Sequence, residues 1–232
     1  EVVEINAMLT EIAQLNGAVH SNEVDSRFNA NDLRDQRDKL IKKLGEKIDI
    51  KVVENNEGLT TVMLGDGSPL VLGLTPLSLS TELNGNNSGF KDINIVDIGG
   101  NANNITSKIS SGKLRGLLDM RDTELAGTMD QIDRLAAGFV QEFNRIHERG
   151  VGLDESAGVA FFSTLSPVTK VNVNNSGNAT ISATNVSPTE NSVDKYQITV
   201  TGSNTFTLNN LTTGQASGTY TFNSGSAQNL IG

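Results

Sequence analysis

The sequence has 232 residues and a formal net charge of −9, and only 4% of its residues are aromatic. An acidic surface repels phosphate backbones, so this charge argues against nucleic-acid binding. The absence of cysteine excludes disulfides, thiolate nucleophiles and Cys-ligated metals. No apolar run reaches the roughly 18 residues that a membrane span needs.

Residues 1–20 carry apolar side chains at alternating steps of three and four, which predicts an amphipathic helix with a coiled-coil seam. The residues at these steps are Ile5, Met8, Ile12, Leu15 and Val19. Asn16 and Gly17 are expected to fray the end of this helix. A second helix is predicted from Leu33 to Leu44, with Gly45 ending it.

The periodicity then changes to two, which predicts a β-meander. Its strands are expected at 48–53, 59–64 and 70–72, separated by turns rich in Asn, Asp and Gly. The following segment, 80–104, is rich in Gly and Asn. Within it, a strand is predicted at 90–98.

A longer helical pattern runs from Lys113 to Gly150 and carries the strongest periodic signal in the chain. Its a/d positions are Leu125, Met129, Ile132, Ala136, Phe139, Phe143 and Ile146. Gly127 is unfavourable inside a helix and predicts a kink or short break near it. Thr128 and Gln131 fit a capping box just after that break.

The region after Pro167 returns to short β-like segments separated by Asn, Ser, Thr and Gly. The expected strands are 171–173, 179–183, 196–200, 206–208 and 220–222. We expect this module to be incomplete, because no helix follows it. The opening of the sequence within a helical pattern likewise predicts a piece of a longer protein.

These elements predict an α+β fold with three parts. Residues 1–50 and 113–165 form an antiparallel helical bundle, 51–112 an inserted small β domain, and 166–232 a second, outer β-rich domain. The candidates for helix packing or for a subunit interface are Ile5, Met8, Ile12, Leu15, Met129, Ile132, Phe139, Phe143 and Ile146. An a/d stripe serves core packing more often than assembly, and the sequence alone does not separate the two.

Catalytic chemistry finds little support. His20 and His147 are far apart in sequence, so zinc-binding spacings are missing. Asp119 and Asp122 could share a helix face, as a hydrolase pair would need. Nearby Arg115 and other basic side chains favour ion pairing instead. We therefore predict no catalytic, cofactor or metal site and no enzymatic activity.

Several segments, in order, resemble the flagellar hook-associated protein 1 family. They are NDLRDQRDKL at 31–40, GSPLVLG at 67–73, GKLRGLLDMRD at 112–122, FNRIH at 143–147 and Phe161-Phe162. The resemblance covers residues 1–165 well and the last module loosely. It identifies the chain as a core fragment that lacks the family's terminal helices.

The resemblance implies an extracellular structural protein of the bacterial flagellum, exported by the flagellar secretion system. Such proteins form a ring that joins hook to filament. The implied partners are copies of itself, the hook protein, the next junction protein and, for the full-length protein, a dedicated export chaperone, with no cofactor, nucleic acid or membrane. The alternatives are another flagellar axial protein, such as flagellin, or a surface adhesin or glycan-binding module suggested by the Asn- and Thr-rich β segments.

Overall fold

The computed structural model describes residues 1–25, 30–87, 89–177, 181–184 and 193–221. The chain forms two compact units, Glu1–Ala126 and Gly127–Gly232, and each is described by itself. Helices and antiparallel sheets make up the regular structure, which confirms the predicted α+β class. No helix among these described residues is long and apolar enough to span a membrane.

The first unit opens with two packed helices, α1 (Val2–Asp25) and α2 (Asn31–Lys47). The two helices run antiparallel, as shown by ion pairs that join the start of each helix to the end of the other. Lys47 at the end of α2 pairs with Glu1 at 3.0 Å, and Arg34 near its start pairs with Glu23 at 2.7 Å.

Both helices are longer than predicted. Asn16 and Gly17 lie inside α1, so the expected fraying there is wrong: the Asn16 side chain is buried and bonded to neighbouring strands. Gly45 lies inside α2, which continues to Lys47 and closes with a bond from the Ile48 N–H to the Leu44 carbonyl.

Two antiparallel sheets follow α2. The first has the order β1 (Ile50–Glu54), β2 (Thr60–Leu64), β3 (Pro69–Leu72) and β4 (Thr75–Pro76). The second consists of β5 (Ser78–Leu83), β6 (Lys91–Val96) and β7 (Ala102–Asn104). The predicted meander is therefore present, and the strand expected at 90–98 is β6.

Helix α3 (Gly112–Asp119) completes the core of the first unit. Its first residue, Gly112, has a φ of +89°, and a Cβ there would lie 2.7 Å from backbone atoms of Lys47 and Ile48. Only glycine fits this close approach between α3 and the end of α2. The helix then widens into a π-helical segment over Met120–Leu125.

One hydrophobic core runs through α1, α2, α3 and both sheets. Its fully buried side chains include Ile5, Leu9, Ile12, Leu44, Ile48, Val62, Leu64, Leu70, Val71, Ile105 and Ile109. The strands of 51–112 thus share their core with the helices on either side of them in sequence. The observed division of the chain falls at Ala126, away from the predicted boundaries after 50, 112 and 165.

The second unit contains most of α4 (Ala126–Glu148) and a three-stranded antiparallel sheet. The sheet consists of β8 (Tyr196–Val200), β9 (Thr205–Asn210) and β10 (Ala216–Thr221). Phe206 and Leu208 are its buried residues, and the Phe206 ring stacks on Tyr220 with centroids 5.5 Å apart.

Two predictions in this part of the chain are wrong. Thr128 and Gln131 lie within α4, so the capping box expected there is absent. The helix is irregular over Met120–Leu125, just before Gly127, near which a kink or short break is predicted. Residues 171–173 form no strand, because the Asn172 side chain accepts a bond from the Asn174 N–H and starts a turn.

Two of the predicted strands extend beyond the described residues. Of the strand expected at 179–183, residues 179–180 lie outside the described residues, and 181–183 form no strand. Residue 222, the last of the strand expected at 220–222, also lies outside them. The packing of α4 with α1 and α2 in one bundle stays a prediction.

Candidate functional site

The main candidate for a functional surface is the a/d stripe of α4. Each of its large apolar side chains is exposed by a substantial fraction. These fractions are 51% for Met129, 61% for Ile132, 59% for Phe139, 39% for Phe143 and 60% for Ile146. Six heptad positions from 129 to 146 span about 25 Å of α4 at 1.5 Å per residue. A contiguous apolar surface of this kind marks an interaction site more often than a solvated face.

The C-terminal part of this stripe forms an aromatic cluster. The Phe143 ring contacts Phe139 at 5.8 Å, Phe161 at 5.2 Å and Phe162 at 5.4 Å between centroids. His147 adds a further ring 5.5 Å from Phe161. Tilted and edge-on pairs at these distances are the preferred geometries of aromatic rings, so the cluster is a rigid apolar anchor on α4.

A buried asparagine holds the aromatic cluster together. Asn144 accepts bonds from the N–H groups of Phe161 at 3.0 Å and Phe162 at 2.8 Å. Its Nδ2 donates to the Phe162 carbonyl at 2.9 Å. His147 Nδ1 adds a contact to the Val159 carbonyl at 2.5 Å. The segment after α4 is thereby folded back onto the last turns of the helix.

The same unit links α4 to its sheet through charged pairs. Asp130 pairs with Lys195, which lies directly before β8. Arg134, one turn further along α4, lies 3.5 Å from the carboxylate of Asp194. Two ion pairs therefore connect one face of α4 to the start of β8. The acid lies on α4 in the first pair, and the base lies on α4 in the second.

The predicted packing or interface residues on α1 are more buried than those on α4. Ile5 and Ile12 are fully buried, while Met8 and Leu15 are only partly buried. The buried set on α1 is Ile5, Leu9, Ile12, Asn16 and Val19. The true core face is therefore rotated toward Leu9 and Asn16, away from the predicted Met8 and Leu15.

Asn16 is accommodated on this buried face because its side-chain amide bonds to backbone groups of Thr60 and Gly73. Its Oδ1 accepts from the Thr60 N–H at 3.2 Å, and its Nδ2 donates to the carbonyls of Thr60 and Gly73 at 2.7 Å each. Asn6 makes the same reciprocal pair with Leu79 of β5, at 2.7 and 2.8 Å. Two side-chain amides about 15 Å apart on α1 thus fix the helix on both sheets.

Arg37 completes this buried polar network. Its side chain is only 2% exposed, and its Nη1 donates to Asn16 Oδ1 at 3.1 Å and to the Gly58 carbonyl at 2.7 Å. The Glu54 carboxylate lies 3.6 Å from Nη2. A buried guanidinium is tolerated here because it is hydrogen-bonded and close to a carboxylate.

Sequence reasoning missed Asn6, Asn16, Arg37 and Asn144. Asn16 did carry a signal, since it lies four residues after Ile12 and three before Val19, at heptad spacing. A polar residue at such a position marks a hydrogen-bonded site in the core.

The carboxylates considered for hydrolysis are in ion pairs. Asp119 pairs with Arg115 at 2.6 Å, and Asp122 pairs with Arg121 at 2.6 Å. The hydrogen bonds from Arg121 lower the pKa of Asp122. Among the described residues, no group of three or more His, Asp or Glu side chains could hold a metal ion.

Comparison with known proteins identifies the family. A model of the helical domain of the flagellar hook-associated protein FlgK matches residues 1–162, well over half of the chain. The chain belongs to this family. The predicted resemblance is therefore confirmed.

Similar proteins extend this result. Flagellar hook-associated protein 1 of Salmonella typhimurium is 30% identical over 204 residues, which cover 87% of this chain and 37% of that protein. The Bacillus subtilis protein of the same name is 28% identical over 183 residues, covering 69% of this chain and 36% of that protein. The chain thus spans little more than a third of the length of these relatives.

A solved structure shares the fold. The flagellar hook junction protein FlgK from Burkholderia pseudomallei matches with a TM-score of 0.81 and 29% sequence identity. The match covers all of this chain and 42% of that one. Structural similarity therefore extends past residue 165 into the last β-rich region, where the sequence resemblance was loose.

Proposed function

We propose that this chain is the core of a structural subunit that joins hook to filament in the bacterial flagellum by ring-like self-assembly. Its partners would be copies of itself, the hook protein and the next junction protein, with a dedicated chaperone during export. The subunit would act outside the cell after export by the flagellar secretion system. Its role would be mechanical and not catalytic.

The exposed stripe of α4 carries this proposal. Six heptad positions lie on α4, and the large side chains among them remain exposed, whereas Ile5, Ile12 and Val19 at heptad positions of α1 are fully buried. Apolar side chains at heptad spacing fit the holes of a second helix with the same spacing. We therefore assign Met129, Ile132 and Ile146 to contacts with another helix of the assembled flagellum, with the Phe139 and Phe143 rings as anchors.

Charge placed on the stripe tests the assignment. In the full-length protein, Ile132→Glu together with Ile146→Glu puts two carboxylates into the proposed seam, where burial without a partner is costly. We expect loss of motility, and loss of the protein from purified hook–filament junctions, in a strain that lacks the native copy.

The control uses the same helix and the same kind of charge. Gln131→Glu lies at the exposed c position, outside the a/d stripe, and should leave motility and incorporation intact. The helical content and melting of the 232-residue chain should be unchanged by all three substitutions, because positions 131, 132 and 146 are all exposed. Normal incorporation of the doubly substituted protein would overturn the proposal.

A further inference from the structure

The chain contains two asparagine–glycine pairs, and both lie in the first unit in contrasting environments. Asn16-Gly17 lies inside α1, whereas Asn84-Gly85 lies in the turn between β5 and β6. In such a pair, the backbone nitrogen of glycine can attack the asparagine Cγ, because glycine has no Cβ to obstruct the approach. The surroundings of each pair decide whether this reaction proceeds.

The turn leaves the Asn84-Gly85 pair accessible to solvent. Asn84 is partly exposed and Gly85 is exposed. The Asn84 Oδ1 accepts a bond from the Asn86 N–H at 2.9 Å, which stabilises negative charge that develops on this oxygen during attack at Cγ. Its Nδ2 donates to the Asp92 carboxylate at 2.9 Å.

Asn16 provides the internal contrast. Its side chain is fully buried, and its Nδ2 and Oδ1 both bond to strand backbone. The Gly17 nitrogen is part of the helical backbone of α1. Ring closure there requires both the helix and the buried network to open.

We propose that Asn84 is a site of spontaneous deamidation and isomerisation. The Gly85 nitrogen forms a bond to Asn84 Cγ and loses its proton, while the Cγ–Nδ2 bond breaks and ammonia leaves. Water then opens one of the two imide C–N bonds of the five-membered ring. The product is an aspartate or an isoaspartate at position 84.

The new carboxylate acts on contacts beyond the turn. It replaces an amide donor with a negative charge facing Asp92, so an attraction becomes a repulsion. The turn that it disturbs also holds the π-helical segment Met120–Leu125. Asn87 Nδ2 lies 3.2 Å from Asp122, and the Arg121 guanidinium lies over the Phe90 ring at 5.3 Å and bonds to the Lys91 carbonyl. Modification at position 84 therefore weakens the contacts between the turn and the π-helical segment.

Peptide mapping by mass spectrometry tests the chemical step. The purified chain is incubated in mildly alkaline buffer, and deamidation is followed at both pairs in the native and the denaturant-unfolded state. In the native state we expect reaction at Asn84 to be at least about tenfold faster than at Asn16, equivalent to about 1.4 kcal/mol in barrier. The two rates should converge in the unfolded chain. Equal native rates, or a faster Asn16, would overturn the proposal.

Two variants separate the reaction from its consequence. Gly85→Ala should slow the loss of the Asn84 amide, and an unchanged rate in the folded variant would contradict the mechanism. Asn84→Asp imitates one product, and we expect faster hydrogen exchange at 89–91 and 120–125. Asn86→Asp adds the same charge to the same turn but keeps the Asn84 donor to Asp92, and should change exchange less. Equal exchange in the two aspartate variants would refute the link to the π-helical segment.

Discussion

The two units use the same heptad spacing to different ends. In the first unit, Ile5 and Ile12 of α1 are fully buried, because two sheets and α2 cover that face of the helix. In the second unit, Ile132 and Ile146 of α4 stand at equivalent spacing and remain about 60% exposed. Periodicity thus determines which residues share a face of a helix. What covers that face depends on the rest of the chain or on another molecule.

Both units nevertheless share one structural device. Asn16 in the first unit and Asn144 in the second each turn a side-chain amide toward backbone groups that have no strand partner there. Unsatisfied backbone groups are costly when buried, so each amide stabilises a junction between a helix and a non-helical segment. In the first unit the junction is helix to sheet, and in the second it is helix to the Phe161-Phe162 turn.

The largest expected difference comes from one substitution made at both stripes. Ile12→Ala leaves a cavity in a closed core and should lower the free energy of unfolding by about 2–5 kcal/mol. Ile132→Ala on the exposed stripe should change it by about 0.5 kcal/mol or less. Urea unfolding of the 232-residue chain measures both. Comparable losses would mean that the α4 stripe belongs to a core within the chain.

Substitution of Asn16 and of Asn144 compares the two units a second time. Asn16→Ala leaves the Thr60 N–H, two carbonyls and the buried Arg37 without their partner. We therefore expect the free energy of unfolding to fall by about 3 kcal/mol. Asn144→Ala removes three bonds at a more exposed site and should cost about 1–2 kcal/mol. Hydrogen exchange should quicken at Thr60 in the first variant and at Phe161 and Phe162 in the second. If these amides keep their protection from exchange in the variants, the Asn16 and Asn144 side chains are not the source of that protection.

Alanine at two glycines should give effects of opposite sign. Gly112→Ala places a Cβ against the backbone of Lys47 at a positive φ and should destabilise the first unit by about 1–3 kcal/mol. Gly138 lies inside α4, and the space that an added Cβ would occupy is open, so Gly138→Ala should stabilise that helix by about 0.5–1 kcal/mol. Thermal unfolding distinguishes the two, and a gain of stability at position 112 would contradict the crowding seen there.

Sequence reasoning reached the helices, the meander and the family, because these rest on local periodicity and on turn residues. It placed Leu15 in the core ahead of Asn16, since hydrophobicity ranks leucine higher. The Asn16 position depends instead on strand groups at Thr60 and Gly73, more than 40 residues away. The π-helical segment was missed for a related reason: Arg121 and Asp122 contact a turn about 30 residues earlier, which no helical pattern contains.

The smallest expected effect concerns pH, and it compares an ion pair between elements with one inside a helix. Hydrogen bonds from Arg34 lower the pKa of Glu23 from 4.5 to about 2, and this pair joins α1 to α2. Arg145 also lowers the pKa of Glu142, but both residues lie on α4, three positions apart. Carboxylates with a lowered folded-state pKa stabilise the protein above the unfolded pKa, and the contribution disappears as the pH falls through the folded value.

The stabilisation from Glu23 should therefore be complete at neutral pH and should vanish between about pH 4.5 and about pH 2. Glu23→Gln should lower stability at neutral pH and match the unsubstituted chain near pH 2. Glu142→Gln should show a weaker trend, because an exposed pair on a single helix contributes little. Urea unfolding at a series of pH values provides the curves, and an NMR titration of the Glu23 carboxyl gives its midpoint directly. A midpoint close to 4.5 would show that the pair with Arg34 does not hold in solution, and the contact between α1 and α2 would then rest on the Lys47–Glu1 pair, the buried Asn16–Arg37 network and the shared hydrophobic core.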